Sequence, residues 1–206
     1  MKYIICFLLT SLFLTSCSSD SDADPEFFNL HNGNLWVYKT YQSNDGVNFT
    51  ATSAIDSVRV IGDSIISGFN YSKVKHMVYN SGAFSYDMLE LLRVDSAGHL
   101  VNQNNLVYHA GDDMEFHSTR GCYIGTGSVL VGSIEEHLLP PLTTNIEGTD
   151  YFVYPYYGTF TPLDTTWEVR NFFSQYKEGV GFVCQRCVAL ANNSCREDRL
   201  MYYDLN

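Results

Sequence analysis

Between residues 30 and 206 the chain is written in short apolar–polar alternations, each cut off by turn-forming residues. A period of two is the signature of strands that bury one face. Phe84, Tyr86, Met88, Leu92 and Val94 alternate with Ser85, Asp87, Arg93 and Asp95, although Leu89, Glu90 and Leu91 blur the middle. Ile55 to Ile61, Phe69 to Tyr79, Leu106 to Ala110 and Met114 to Ser118 read the same way. Gly62-Asp63, Ser81-Gly82, Asp95-Ser96-Ala97-Gly98 and Gly111-Asp112-Asp113 supply bends between them. The one helical candidate, Ile134 to Leu139, is stopped at once by Pro140-Pro141. No linker, repeat or low-complexity tract divides residues 30–206. The expectation is a single antiparallel all-β domain with at most one short helix near 134–139.

The first residues speak of export. Lys2 is a minimal positive flank, and Tyr3 to Leu14 form an apolar run of about a dozen residues, too short for a membrane-spanning helix but suited to a secretory core. The run ends in Leu14-Thr15-Ser16-Cys17, which resembles the lipobox of bacterial lipoproteins. Small side chains there admit the peptidase to the backbone, and a thiol is needed to accept diacylglycerol. The resemblance implies that residues 1–16 are a cleaved signal peptide and that Cys17 carries acyl chains, palmitate among them. Each buried methylene would hold the protein to the membrane by about 0.8 kcal/mol.

Residues 17–29 then read as an acidic, flexible tether, since Ser18 to Glu26 offers only Ala23 as an apolar group. Asp20, Asp22 and Asp24 have the odd spacing that opens a calcium loop, but the sixth position lacks Gly and the twelfth is His31 instead of Glu. The acidic run after the Cys resembles the export signal of surface lipoproteins in Bacteroidota. That likeness implies an outer-membrane location facing outward, with the membrane itself as partner through Cys17.

The charge balance excludes partners. A net charge of −11 with no basic run repels nucleic acid and anionic membrane surfaces. With 45% hydrophobic and 15% aromatic residues, fifteen Tyr among them, a mature chain of roughly 190 residues can bury one substantial core. Of six Cys, Cys122, Cys184, Cys187 and Cys195 remain once Cys6 is cleaved away and Cys17 acylated. An even number in an exported protein makes these four disulfide candidates. Cys184-Gln185-Arg186-Cys187 lacks the long helix that a thioredoxin-type pair opens, and the four do not make two zinc knuckles. Gly179 to Cys187 and Cys195 to Tyr203 read as two arms of a hairpin. Setting Cys187 opposite Cys195 puts Val183 opposite Arg199 and leaves Cys122 for Cys184.

Two further stretches look familiar. Phe28 to Tyr38, with Gly33-Asn34-Leu35-Trp36-Val37-Tyr38 at its heart, resembles the opening of many small Bacteroidota lipoproteins. Tyr176 to Val183, with Gly179-Val180-Gly181, resembles their closing strand. The likeness implies a strongly curved antiparallel sheet or open barrel of unassigned function.

No motif for catalysis or a cofactor stands out. Gly62-Asp63-Ser64-Ile65 is similar to the nucleophile block of lipolytic hydrolases, but no Asp-x-x-His follows to activate the Ser, and the flanking residues alternate like a strand. Gly125-Thr126-Gly127-Ser128 lacks the final Gly of a nucleophile elbow. The six His show no metalloprotease spacing, and no loop is built to cradle phosphate. Hence no catalytic residue, metal or cofactor is expected, although carboxylates that meet only in space would escape a sequence reading.

The densest feature is Tyr151 to Phe160, six aromatics in ten residues. Pro155 argues for an edge or bulge, and exposed Tyr154, Tyr156 and Tyr157 would make a platform on which sugar rings stack. The expectation is a non-enzymatic binding or structural accessory of the envelope, taking an extracellular glycan or an envelope protein as partner. Its rivals are a carbohydrate-binding uptake component and a hydrolase with spatially assembled acids.

Overall fold

The computed structural model describes residues 26–124, 129–189 and 194–206. The described residues hold thirteen strands and no helix. They are β1 (Leu35–Ser43), β2 (Thr50–Ile66), β3 (Phe69–Asn80), β4 (Ala83–Val94), β5 (Leu100–Asn102), β6 (Val107–His109), β7 (His117–Ile124), β8 (Val129–Leu138), β9 (Leu142–Ile146), β10 (Thr149–Pro162), β11 (Arg170–Lys177), β12 (Gly181–Val188) and β13 (Cys195–Asp204). All pairings are antiparallel. They run β6-β5-β4-β3-β2-β1-β13-β12-β11-β10-β8-β7, with β9 on β10 beside β8. The sheet is open, because its end strands β6 and β7 are not hydrogen-bonded to each other. The all-β, single-domain reading is therefore right.

The expected turns at Ser81-Gly82 and around Gly98 are present. Ser67-Gly68, Ser81-Gly82 and Glu147-Gly148 each put two successive residues at positive φ, the twist that tight hairpins prefer. Gly62-Asp63, in contrast, is not a turn. It lies inside β2 at a register shift between Val60 and Asp63, with Gly62 at φ +123°, and the chain reverses at Ser67-Gly68 instead. An extra residue there bends a seventeen-residue strand without ending it. The helical candidate Ile134 to Leu139 is mostly the end of β8, where alternate residues Ile134, Glu136 and Leu138 are buried. Tertiary pairing with β7 and β10 overrides its weak local preference. Of Met114 to Ser118, only His117 and Ser118 are strand.

Bulges recur on β1, between β3 and β4, and between β11 and β12, and they curl the sheet. The curl brings the β6 end back onto β10. His109, fully buried, accepts from the Gly111 N–H at Nδ1 (3.1 Å), which leaves Nε2–H to donate to the Tyr154 carbonyl (2.9 Å). Its ring lies among Phe27, Phe28, Tyr156, Tyr176 and Phe182. Burial pulls its pKa down to about 4, so it is a neutral strut at neutral pH.

Across the paired β12 and β13, buried Glu197 accepts from Arg186 (2.8 Å) and Arg199 (3.0 Å). Arg199 reaches on to Glu147 in the β9–β10 turn (2.9 Å) and lies 4.0 Å over the Tyr41 ring. This network clamps the β9–β10 hairpin over Cys184.

The packed domain begins earlier than composition suggests. Phe27 stacks on Tyr176, Phe28 is buried in the core, and the Asn29 side chain donates to the Gly179 carbonyl (3.1 Å). Two adjacent aromatics have more to gain in the core than in water, so residues 27–29 belong to the domain. The expected signal peptide, residues 1–16, and the expected lipid attachment at Cys17 lie outside the described residues.

Candidate functional site: a cavity in the curled sheet

The motifs that opened and closed the domain meet in space. Trp36 Nε1–H donates to the Val180 carbonyl (2.6 Å), and the Tyr38 hydroxyl donates to the Phe182 carbonyl (3.0 Å). Both bonds reach from β1 across β13, one to the turn before β12 and the other to β12 itself. Gly181 has φ +135°, and a Cβ there would sit 2.7 Å from Trp36 Nε1, so only Gly fits. Asn34, fully buried, binds Asn29 (2.6 Å) on one side and accepts from the N–H of Asn206 (2.8 Å) on the other. The start and the end of the domain are thereby locked together.

Above this floor the inner face of the curl encloses a cavity of about 300 Å³. Trp36, Tyr38, Tyr176 and Phe182 form one side, and Val58, Val74, Val78, Leu92 and Leu100 line the wall from β2 to β5. That volume is at the small end of ligand sites, and the recipe is theirs: mostly apolar walls with a few convergent polar groups.

Those polar groups come from two walls. On one, His76 Nδ1 lies 2.8 Å from Asp56 Oδ2 and its Nε2 3.6 Å from Glu90 Oε2, while the Tyr108 hydroxyl donates to Glu90 Oε1 (3.1 Å). A polar chain thus runs from β2 through β3 and β4 to β6. Burial alone would push His76 down, but hydrogen bonds and charge from the two carboxylates outweigh it and hold the pKa at about 9. His76 is therefore an imidazolium at neutral pH. Asp56 Oδ1, closed off within the same wall, has no hydrogen-bond partner among the described residues. On the other wall, Arg196 Nε donates to Asp198 Oδ1 (3.0 Å), which also accepts from the Thr40 hydroxyl (2.6 Å). Arg196 further engages the Tyr86 hydroxyl across the concavity. Gln185 and exposed Cys187 complete that side of the mouth, and Phe84, Tyr86 and Met88 continue it as exposed apolar surface along β4.

The expected contact residues are not in this cavity, and they make no platform. From Tyr156 to Phe160 β10 is paired on both sides, to β11 and to β8, so this stretch is not an edge. Pro155 sits where the partner changes from β9 to β8, a place that needs no N–H. Tyr156 is 4% exposed and packs with Ala110 and Leu138, which corrects its reading as an exposed contact. Tyr154 packs edge-on against Phe27, and Tyr157 lies beside His137, both half-buried. Ser64 of the lipolytic-like block is in mid-strand, with no helix to present it.

The cysteine expectations also need correction. The C-terminal hairpin exists, but Cys187 faces Arg196, Val188 faces Cys195 and Cys184 faces Arg199, one residue out of the expected register. Cys187 and Cys195 therefore point to opposite faces. Cys122 is on β7, with β8, β10 and β11 standing between it and buried Cys184 on β12. Cys122, Cys184 and Cys187 are thiols, and the Cys122–Cys184 pairing is not formed.

Asp56, His76, Glu90, Arg196 and Asp198 were missed by motif reasoning, and a signal existed. Asp56 shares the phase of Val58, His76 stands between Val74 and Val78, and Glu90 between Met88 and Leu92. A polar group in the apolar phase of an alternating strand marks either a fault in the core or a site.

No protein-family model matches the chain, and no curated protein is significantly similar to it. Two solved structures are similar in shape. One, an exported protein with a YmcC-like fold from Bacteroides fragilis NCTC 9343, aligns over 87% of this chain and 99% of its own at a TM-score of 0.51 and 12% identity. The other, a lipoprotein from Parabacteroides distasonis ATCC 8503, covers the same shares at a TM-score of 0.44 and 14% identity. At such identities the first likeness concerns the fold alone: this chain shares the curved-sheet architecture of an exported protein from the Bacteroidales.

Proposed function

We propose that the protein is a surface-exposed outer-membrane lipoprotein, anchored through Cys17, and that its domain is a non-enzymatic binding module for a small, mainly apolar ligand. The cavity carries the reading. Polar groups that converge in an apolar hollow fix the orientation of a ligand, whereas a domain that only had to be stable would gain by filling the space, since unfilled core volume costs about 24 cal/mol per Å³. The lipobox-like Leu14-Thr15-Ser16-Cys17 supports the anchoring, and the exported neighbour of the same fold agrees with it.

A hydrolase that works through two carboxylates needs an acid and a second carboxylate facing each other across the substrate, as in glycoside hydrolysis. Asp56 and Glu90 share His76 on one wall instead, and Asp198 is held by Thr40 and Arg196. Each carboxylate is already paired with a cation of the wall, which favours holding over turnover.

The test uses the neutral dye Nile red with the mature domain. Saturable fluorescence enhancement is expected, and it should be abolished in Val74→Trp, which fills the cavity. Native mass spectrometry of protein from the envelope fraction should show a bound small molecule. An absence of saturable binding in a folded wild-type domain would refute the reading.

A further inference from the structure

The choice of ligand follows from which lining groups are already occupied; it rests on the reading of the cavity as a ligand site. Five lining side chains bear charge: Asp56, Glu90 and Asp198 against His76 and Arg196. No lysine lines it. Carboxylates therefore outnumber cations, and loss of the His76 proton would only widen the excess. Both cations are committed as well. His76 is bracketed by Asp56 and Glu90, and Arg196 is held by Asp198 and Tyr86.

A carboxylate or phosphate head would find no free donor of positive charge in the hollow. It would lose its water beside an acidic wall, inside a protein of net charge −11. What the walls do leave over is acceptor capacity and ring faces. Among the described residues Glu90 Oε2 makes only the 3.6 Å contact with His76 and its side chain is 22% exposed, and Trp36, Tyr38, Tyr86, Tyr176 and Phe182 line the same space. Both call for a donor-rich cation. Apolar Val58, Val74, Val78, Leu92 and Leu100 call for a hydrocarbon body, and a volume at the small end of ligand sites keeps that body short.

We infer that the cavity selects a short cationic amphiphile, an alkyl chain or ring system ending in an amine, its head against the Asp56–Glu90 wall and its body over the valines and leucines. No bond is made or broken, so the selection is one of binding alone.

The test displaces Nile red from the wild-type domain with three probes of matched chain, octylamine, octanol and octanoate, at low ionic strength and neutral pH. Octylamine should displace at a concentration lower by about tenfold than octanol, with octanoate weakest. In Glu90→Gln the advantage of octylamine over octanol should shrink to about threefold or less. Should that variant not fold, the wild-type ranking decides by itself. Octanol or octanoate matching octylamine, while Nile red still binds, overturns the cationic preference and leaves the ligand site standing. A wild-type domain that binds neither Nile red nor, by calorimetry, octylamine overturns both.

Discussion

Replacing His76 with Gln removes the cation that Asp56 and Glu90 share, and the consequence depends on pH in a way that can be worked out beforehand. The folded state holds the His76 proton up to about pH 9, whereas the unfolded chain releases it near 6.5. A raised pKa contributes stability that is fully present below 6.5 and is lost as pH rises through 9. Across that window the wild type should lose about 1.4 kcal/mol per pH unit from this group, an upper figure of about 3 kcal/mol in total. The side chain is 19% exposed and its partners 13% and 22%, so solvent screens the interaction only in part. His76→Gln adds a pH-independent cost, because two half-buried carboxylates are left together, but it should lack the slope. Urea denaturation of both proteins from about pH 6 to about pH 10 gives the difference directly, with lysines, tyrosines and thiols common to both. The stability gap should close by about 3 kcal/mol as pH rises. Parallel curves, with an unchanged gap, would refute the charged triad.

Three other outcomes follow from the same geometry. His109 works in the opposite direction: burial depresses it to about 4, so its contribution is present above pH 6.5 and is lost as pH falls through 4, and NMR should find its ring neutral at pH 5 while the domain remains folded. Tyr156→Ala should lower stability by about 3–5 kcal/mol in a thermal or urea melt, as truncation of a core aromatic does, and a near-neutral effect would return the residue to the surface. Alkylation of the folded domain followed by peptide mapping should label Cys187 at the mouth and spare Cys184, whose thiol burial pushes up to about 12; labelling of Cys184 should require denaturant, and a Cys122–Cys184 bridge would contradict the strand order.

The all-β class was legible in the chain because a period of two is a local property, as were the turns at Ser81-Gly82 and Gly98, where positive φ has its own residue chemistry. The motifs at Gly33 to Tyr38 and Gly179 to Gly181 were also visible, but not their reason, which is that Trp36 and Tyr38 bond the backbone of the closing strand. Residues 27–29 looked like tether because composition alone cannot tell which aromatics find a core. Tyr156 looked exposed because aromatic density says nothing about how many neighbours a strand has. The one-residue slip of β12 against β13 was beyond pattern reasoning, since both registers pair apolar with apolar and only the packing around Leu200 and Glu197 chooses between them. The cavity was least legible of all. Asp56, His76 and Glu90 lie 14 to 34 positions apart and meet only because three long strands pair in one register and bulges curl them inward. Alternation determines which face a residue takes; how far the sheet bends, and so whether that face closes on itself or encloses a hollow, is decided by tertiary packing.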